Sequence, residues 1–196
     1  MSDPVPGPEE ARPPTQARRI RWDALAAIIA SLVGLLALLV AGYTAYVQRQ
    51  QVRAQVWPYL TAAYQDDKHM LTIFNKGVGP AIVKSVQVTV DGKPQLDWKH
   101  VFAALHVSAA ENGYGFSTLS AAVLSPGDKL TLLVFKDNST YAHFRQAMGT
   151  HGLVNICYCS TLGECWAFED HHAPVKPVVR SVAQCPRLTP AKAFRD

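Results

Sequence analysis

A chain of 196 residues with a formal charge of +4 and four cysteines is long enough for one domain with its own core, so that disulfides need only add to its stability. The positive excess lies after residue 47, where 15 Lys and Arg face 11 Asp and Glu, scattered singly. That segment has no Lys/Arg-rich run and no basic stripe interleaved with aromatics, so a nucleic-acid footprint is absent from it and no nucleic-acid partner is expected.

The first 17 residues, MSDPVPGPEEARPPTQA, hold five prolines among acidic and small residues. Such a segment lacks the apolar side chains for a core, and residues 1–23 are expected to be a disordered tail. From Ala24 to Gln48 no charged residue occurs and nearly every position is apolar. As a helix, residues 24–47 would rise about 36 Å, enough to cross a hydrocarbon layer of about 30 Å with some tilt. The ten Leu, Ile and Val residues from Leu25 to Val40 favour insertion by roughly 3 to 6 kcal/mol in all. Trp22 at one end and Tyr43 and Tyr46 at the other suit the interfaces. The competing reading, a cleaved signal peptide, calls for an apolar run of about 7 to 15 residues. The run here is much longer, and Val40-Ala41-Gly42 is a weak cleavage signal.

Arg12, Arg18, Arg19 and Arg21 precede the helix, whereas only Arg49 and Arg53 follow closely. The positive-inside bias then places the N-terminus in the cytoplasm and the rest of the chain outside it. Clustered cysteines, all after position 156, agree with an oxidising compartment. Ala26, Ala30 and Gly34 recur every fourth residue on one helix face, a small-xxx-small pattern that allows two copies to pack closely as a homodimer.

Beyond the span, residues 48–56 are polar and helix-compatible and read as a helical stalk, which Pro58 ends by disfavouring helical geometry at Trp57. Residues 57–196 then read as a mainly β domain with a Pro-rich C-terminal tail. Tyr59–Tyr64 and His69–Asn75 flank an Asp66-Asp67-Lys68 turn as a first hairpin. In Ile82–Val90, Val86, Val88 and Val90 alternate with Gln87 and Thr89, and Asp91-Gly92 supplies turn chemistry. Ala122–Leu124, a Ser-Pro-Gly-Asp turn and Lys129–Phe135 follow. A hairpin of Val154–Ser160 and Glu164–Glu169 comes next, and Val178–Val182 is expected at an edge. Two short helices interrupt the strands. Leu96–Leu105 sets Trp98, Val101, Phe102 and Leu105 at helical spacing, and Tyr141–Met148 is capped by Asn138 or Ser139. About seven short strands between turns predict an antiparallel β-sandwich of immunoglobulin-like type, with the helices over an end or an open edge.

In the segment Asn75-Lys76-Gly77-Val78-Gly79-Pro80-Ala81, glycines that permit positive φ, an Asn that bonds nearby backbone and a Pro that fixes the next strand predict a tight connection. It lacks the Lys-Ser/Thr ending of a phosphate-binding loop and leads into a strand. Together with Trp57-Pro58-Tyr59, Val88-Thr89-Val90-Asp91-Gly92-Lys93, Tyr158-Cys159-Ser160 and Cys165-Trp166, it resembles a loose group of bacterial single-pass membrane proteins over residues 57–170. The resemblance implies an N-terminal anchor and an extracytoplasmic β-sandwich, and in a bacterial cell the expectation is then an inner-membrane anchor with a periplasmic domain. It implies no established activity and carries no functional residues across.

Cys157 and Cys159 share one face of a strand, with Cα atoms nearly 7 Å apart, too far to bridge without distortion. If Thr161-Leu162-Gly163 is a three-residue loop with Gly163 left-handed, Ser160 faces Glu164. Cys159 then opposes Cys165 in the closer-spaced position. That pairing leaves Cys157 to hold the tail through Cys185, and it sets Tyr158 against Trp166 on the other face. A metal site of Cys157, Cys159, Cys165 and Cys185 with His171 and His172 is the alternative, although C-x-C and C-x5-C are not typical zinc spacings. Redox exchange is a third reading, without the usual C-x-x-C support. Glu169-Asp170-His171-His172 reads most simply as the polar end of a strand.

No G-x-S-x-G, H-E-x-x-H, S-x-x-K, dinucleotide or Walker pattern is present. Ser160 beside Cys159 has no identifiable base. The expectation is therefore a non-catalytic interaction or assembly module of the cell envelope, with the lipid bilayer and an envelope protein as partners and no cofactor. A ligand- or metal-binding sensor built on the Cys/His-rich region is the alternative, and an enzyme of the periplasm the third.

Overall fold

The computed structural model describes residues 19–110, 112–170 and 177–195. Of the expected disordered tail of residues 1–23, residues 1–18, with Arg12 and Arg18, lie outside them, as do His171 and His172, whereas residues 19–23 are already helical, a correction to that expectation. The chain divides into two compact units, Met1–Arg49 and Gln50–Asp196.

Helix α1 runs unbroken from Arg19 to Gln55, so the expected span 24–47 and most of the expected stalk form one helix. Its stretch from Trp22 is long and apolar enough to cross a membrane. The large side chains there, from Trp22 through Leu32, Leu36 and Leu39 to Tyr46, are exposed, as an apolar solvent would require. Two hydroxyl side chains within the apolar run bond inside the helix. The Ser31 hydroxyl donates to the Ile28 carbonyl and the Thr44 hydroxyl to that of Val40, both at 2.8 Å, which satisfies them without water.

The described residues of the second unit form two antiparallel sheets and two α-helices. Strands β1 (Leu60–Gln65) and β2 (Met70–Asn75) form the first hairpin around a 3-10 turn at Asp66–Lys68. Strand β3 (Ala81–Val90) buries Val83, Val86, Val88 and Val90. Asp91 and Gly92, at φ 48° and 73°, turn it into β4 (Lys93–Gln95), the left-handed pair that a two-residue hairpin requires. Then follow α2 (Trp98–Ala104), β5 (Tyr114–Phe116), β6 (Val123–Leu124), β7 (Lys129–Phe135), α3 (Asn138–His151), β8 (Gly152–Cys159), β9 (Cys165–Asp170) and β10 (Val178–Val182). One sheet has the order β1-β2-β7-β5, the other β10-β9-β8-β3-β4 with β6 also paired to β3.

Both sheets contribute to one core. Leu60, Leu71, Ile73 and Leu133 come from the first, and Val83, Val88, Ile156, Tyr158 and Phe168 from the second. The helices add an aromatic group in which Phe144 and Phe102 lie 5.7 Å apart and Trp98 stands edge-on to Phe194 at 4.9 Å. Phe194 is near the C-terminus, so the tail is part of the core. Its backbone N–H donates to the Val86 carbonyl, and that of Arg195 to the Leu96 carbonyl.

Three local expectations need correction. Helix α3 is capped by Asp137, not Asn138 or Ser139: its carboxylate accepts the Thr140 N–H at 2.7 Å and the Ser139 hydroxyl at 2.7 Å. An N-cap one residue earlier uses the stronger, charged acceptor. The Ser139 hydroxyl comes first among the donors that lower the Asp137 pKa, to about 2. Strands β4 and β5 were not expected, being three residues each, one with Pro94 and one with Gly115, both poor strand formers. Gly77 and Gly79 do not take positive φ. They are needed for close approach: a Cβ on Gly77 would lie 2.4 Å from the Trp57 carbonyl oxygen, and one on Gly79 only 2.1 Å from that of Val56.

Candidate functional site

The cysteines meet where β8 and β9 turn over. The Gly163 N–H donates to the Ser160 carbonyl, Gly163 has φ 79°, and the Ser160 N–H donates to the Glu164 carbonyl. That three-residue loop sets Cys159 opposite Cys165, in the non-hydrogen-bonded register that brings side chains closest. The structure joins Cys159 to Cys165 and Cys157 to Cys185, with Cα separations of 4.0 and 5.6 Å. Cys159–Cys165 is the pairing that strand register favours on sequence grounds, and Cys157–Cys185 is the pairing it leaves.

The opposite face of the hairpin is aromatic. Tyr158 opposes Trp166 with stacked rings 6.0 Å apart. The Leu60 N–H donates to the Tyr158 hydroxyl at 3.3 Å across the sheets, and burial pushes the Tyr158 pKa up to about 12. One strand thus presents sulfur outward and an aromatic inward, as its two-residue period requires.

Over the sulfur face the tail closes a cleft of about 880 Å³. Cys159, Cys165 and Cys185 open onto it, with Lys84 and Arg187 as its cations and Phe194 as part of its apolar wall. The Cys159 and Cys185 sulfurs, which belong to different disulfides, are 3.7 Å apart, a van der Waals contact. The sulfurs of Cys159, Cys165 and Cys185 all lie within 4.8 Å of one another. In the disulfide form they carry no thiolate charge, and it is the thiolate that binds zinc. With the thiols free, the same three positions are close enough to share an ion.

Other sequence candidates fall elsewhere. Ser160 is buried and its hydroxyl oxygen accepts the Leu162 N–H at 3.2 Å, so its place is in the loop. Glu169 accepts from Arg180 at 2.5 Å and from Asn155 at 3.2 Å, while Asp170 is buried. Ala26, Ala30 and Gly34 lie on one exposed stripe of α1, and nothing within 4 Å would meet a Cβ at Gly34.

Three arrangements go beyond sequence reasoning, which foresaw only that Asn75 bonds its nearby backbone, as it does at Gly77 and Gly79. Buried Asn75 gathers the chain entry. Its Oδ1 accepts the N–H groups of Tyr59 and Gly77, and its Nδ2 donates to the carbonyls of Gly79 and Leu124. The Val78 and Gly79 N–H groups reach the Trp57 carbonyl, and Arg53 pairs with Glu164 at 3.0 Å. Trp57, Tyr59 and Val78 remain exposed there, with the two rings 5.5 Å apart. Near the first hairpin, the Tyr141 hydroxyl donates to Asp66 at 2.6 Å and Arg145 pairs with the same carboxylate. The Tyr141 hydrogen bond leads in lowering the Asp66 pKa, and burial followed by Asp170 raises that of Tyr64. Finally, a cleft of about 470 Å³ collects Asp91, His106, His143 and His151, with His151 Nδ1 2.8 Å from Asp91. His143 and His151 stand eight residues apart on α3, about 12 Å along its axis, too far to share one ion. The histidines are dispersed in sequence, so no spacing pattern announces them.

No family model matches the chain, and no curated protein or solved structure matches it.

Proposed function

We propose that the chain is a membrane-anchored, non-catalytic interaction or assembly module of the bacterial cell envelope, with its N-terminus in the cytoplasm and its β domain in the periplasm. The observation that carries this reading is a helix long and apolar enough to span a membrane, followed in the chain by a β domain that exposes Trp57, Tyr59 and Val78 together at its entry. Paired exposed aromatics are suited to a protein partner, since they bury much area at little entropic cost. Orientation rests on the arginine asymmetry around α1, and the location in an inner membrane on the resemblance. We read the two sheets around their common core as an immunoglobulin-like sandwich. The Ala26, Ala30 and Gly34 stripe supports a homodimer.

A photo-crosslinking residue at Val78, activated in native membranes, tests the reading. A discrete adduct with an envelope protein, reduced by Trp57→Ala, is the expected result. Uncrosslinked monomer alone, from Val78, Trp57 and Tyr59 positions alike, contradicts it.

The sulfur-lined cleft favours a second reading, a periplasmic ligand- or metal-binding sensor. Intact mass of freshly isolated protein separates its metal form from the first. Two disulfides argue for the interaction module or a non-metal ligand, and free thiols with bound metal argue for the metal sensor.

A further inference from the structure

The contact between the two disulfides has a chemical consequence. Disulfides exchange when a thiolate attacks a disulfide sulfur and the bonded partner leaves as a thiolate. Cys159 is bonded to Cys165, yet its sulfur touches that of Cys185, which is bonded to Cys157. A thiolate released at Cys159 would therefore begin beside its next target. The hairpin creates this arrangement: Cys157 and Cys159 share a face of β8, Cys165 lies across from Cys159, and the tail lays Cys185 against both.

Access is unequal. Cys159, Cys165 and Cys185 line the cleft, whereas Cys157 does not and is 2% exposed. Lys84 and Arg187 line the same cleft, and cations near a sulfur favour the thiolate over the thiol.

We propose that the two disulfides form a thiol–disulfide exchange relay, with Cys165 as the sulfur attacked by an external thiol and Cys157 as the thiol finally released. In the first step a small thiolate forms a bond to Cys165 Sγ, the Cys165–Cys159 bond breaks, and its electron pair leaves on Cys159. The incoming thiol is thereby oxidised to a mixed disulfide, and Cys159 is reduced. In the second step the Cys159 thiolate bonds to Cys185 Sγ and the Cys185–Cys157 bond breaks. The electron pair leaves on Cys157, which takes a proton from solvent. This second step is an isomerisation without net redox change, and it keeps the tail covalently tied throughout. The relay goes beyond the interaction-module reading and does not depend on it.

The full chain in detergent micelles is treated with glutathione, quenched with acid, alkylated with a maleimide and mapped without reduction. Chymotrypsin cuts after Tyr158 and so separates Cys157 from Cys159. The expected intermediate carries glutathione on Cys165, a Cys159–Cys185 bridge and maleimide on Cys157. Glutathione on Cys165 with Cys157–Cys185 intact and maleimide on Cys159 overturns the relay, as does a map unchanged at every glutathione concentration up to unfolding. In a Cys165→Ala variant, without any reductant, at least about a tenth of the molecules should carry the Cys159–Cys185 bridge, an equilibrium ratio within reach of neighbouring sulfurs. Folded variant holding only Cys157–Cys185, with Cys159 fully labelled, overturns it independently.

Discussion

Two connections of the β domain, the Asn75–Ala81 loop and the Cys157–Cys165 hairpin, solve the same problem by different means. Each holds a distant piece of chain against the sheets: the loop holds the segment Val56–Tyr59 that leads into β1, and the hairpin holds the tail at Cys185. The loop uses one buried amide side chain and two glycines that let backbone meet backbone. The hairpin uses covalent bonds. A hydrogen-bonded clamp acts on the folded state and fails when one partner is removed. A disulfide acts largely on the unfolded ensemble and fails only when it is reduced.

Substitutions should separate these modes. The largest effect is expected from Asn75→Ala, which leaves several buried backbone groups without partners at about 1 to 3 kcal/mol each. A loss of about 4 kcal/mol in urea unfolding of the chain in micelles is the expected outcome, and a loss below about 1 kcal/mol would remove Asn75 from the clamp. Replacing Cys157 and Cys185 together by Ala should cost about 3.5 kcal/mol by loop entropy, and Cys159 with Cys165 about 2, for sequence separations of 28 and 6. Equal losses for the two pairs would show that loop length is not what matters. Gly79→Ala should cost about 3 kcal/mol through overpacking, because the clashing atoms are backbone and cannot swing aside. If Gly79→Ala is neutral in the same titration, the close approach is not required.

Smaller effects come from charges at the surface. Arg53→Ala removes the pair with Glu164 and should change stability by less than about 0.5 kcal/mol. Asp137 gives a pH signature. Its pKa is lowered from 3.8 to about 2 in the fold, so its contribution is complete above 3.8 and is lost as pH falls through about 2. Asp137→Asn should flatten that part of the stability profile, and an unchanged slope would remove the cap from the account.

Much of this was legible in sequence because it follows from short-range rules. The apolar run beginning at Ala24, the alternation of Val86, Val88 and Val90, and the Gly163 turn that sets Cys159 against Cys165 all depend on periodicity or local turn geometry. The rest depends on contacts distant in sequence. Nothing near Asn75 indicates that its amide reaches Leu124, and nothing near Phe194 indicates that it packs on Trp98. The glycines were recognised as necessary, but for the wrong reason, since crowding by Val56 and Trp57 is a tertiary fact. The sulfur cleft was hidden similarly, because it exists only once the tail folds back over β8.

The most direct test of the central claim, a spanning helix that delivers the β domain outside the cytoplasm, is the fate of a C-terminal epitope tag in intact spheroplasts. Protease added from outside should remove the tag while a cytoplasmic marker survives. A tag that stays protected until the spheroplasts are lysed would contradict the orientation on which the proposed function rests.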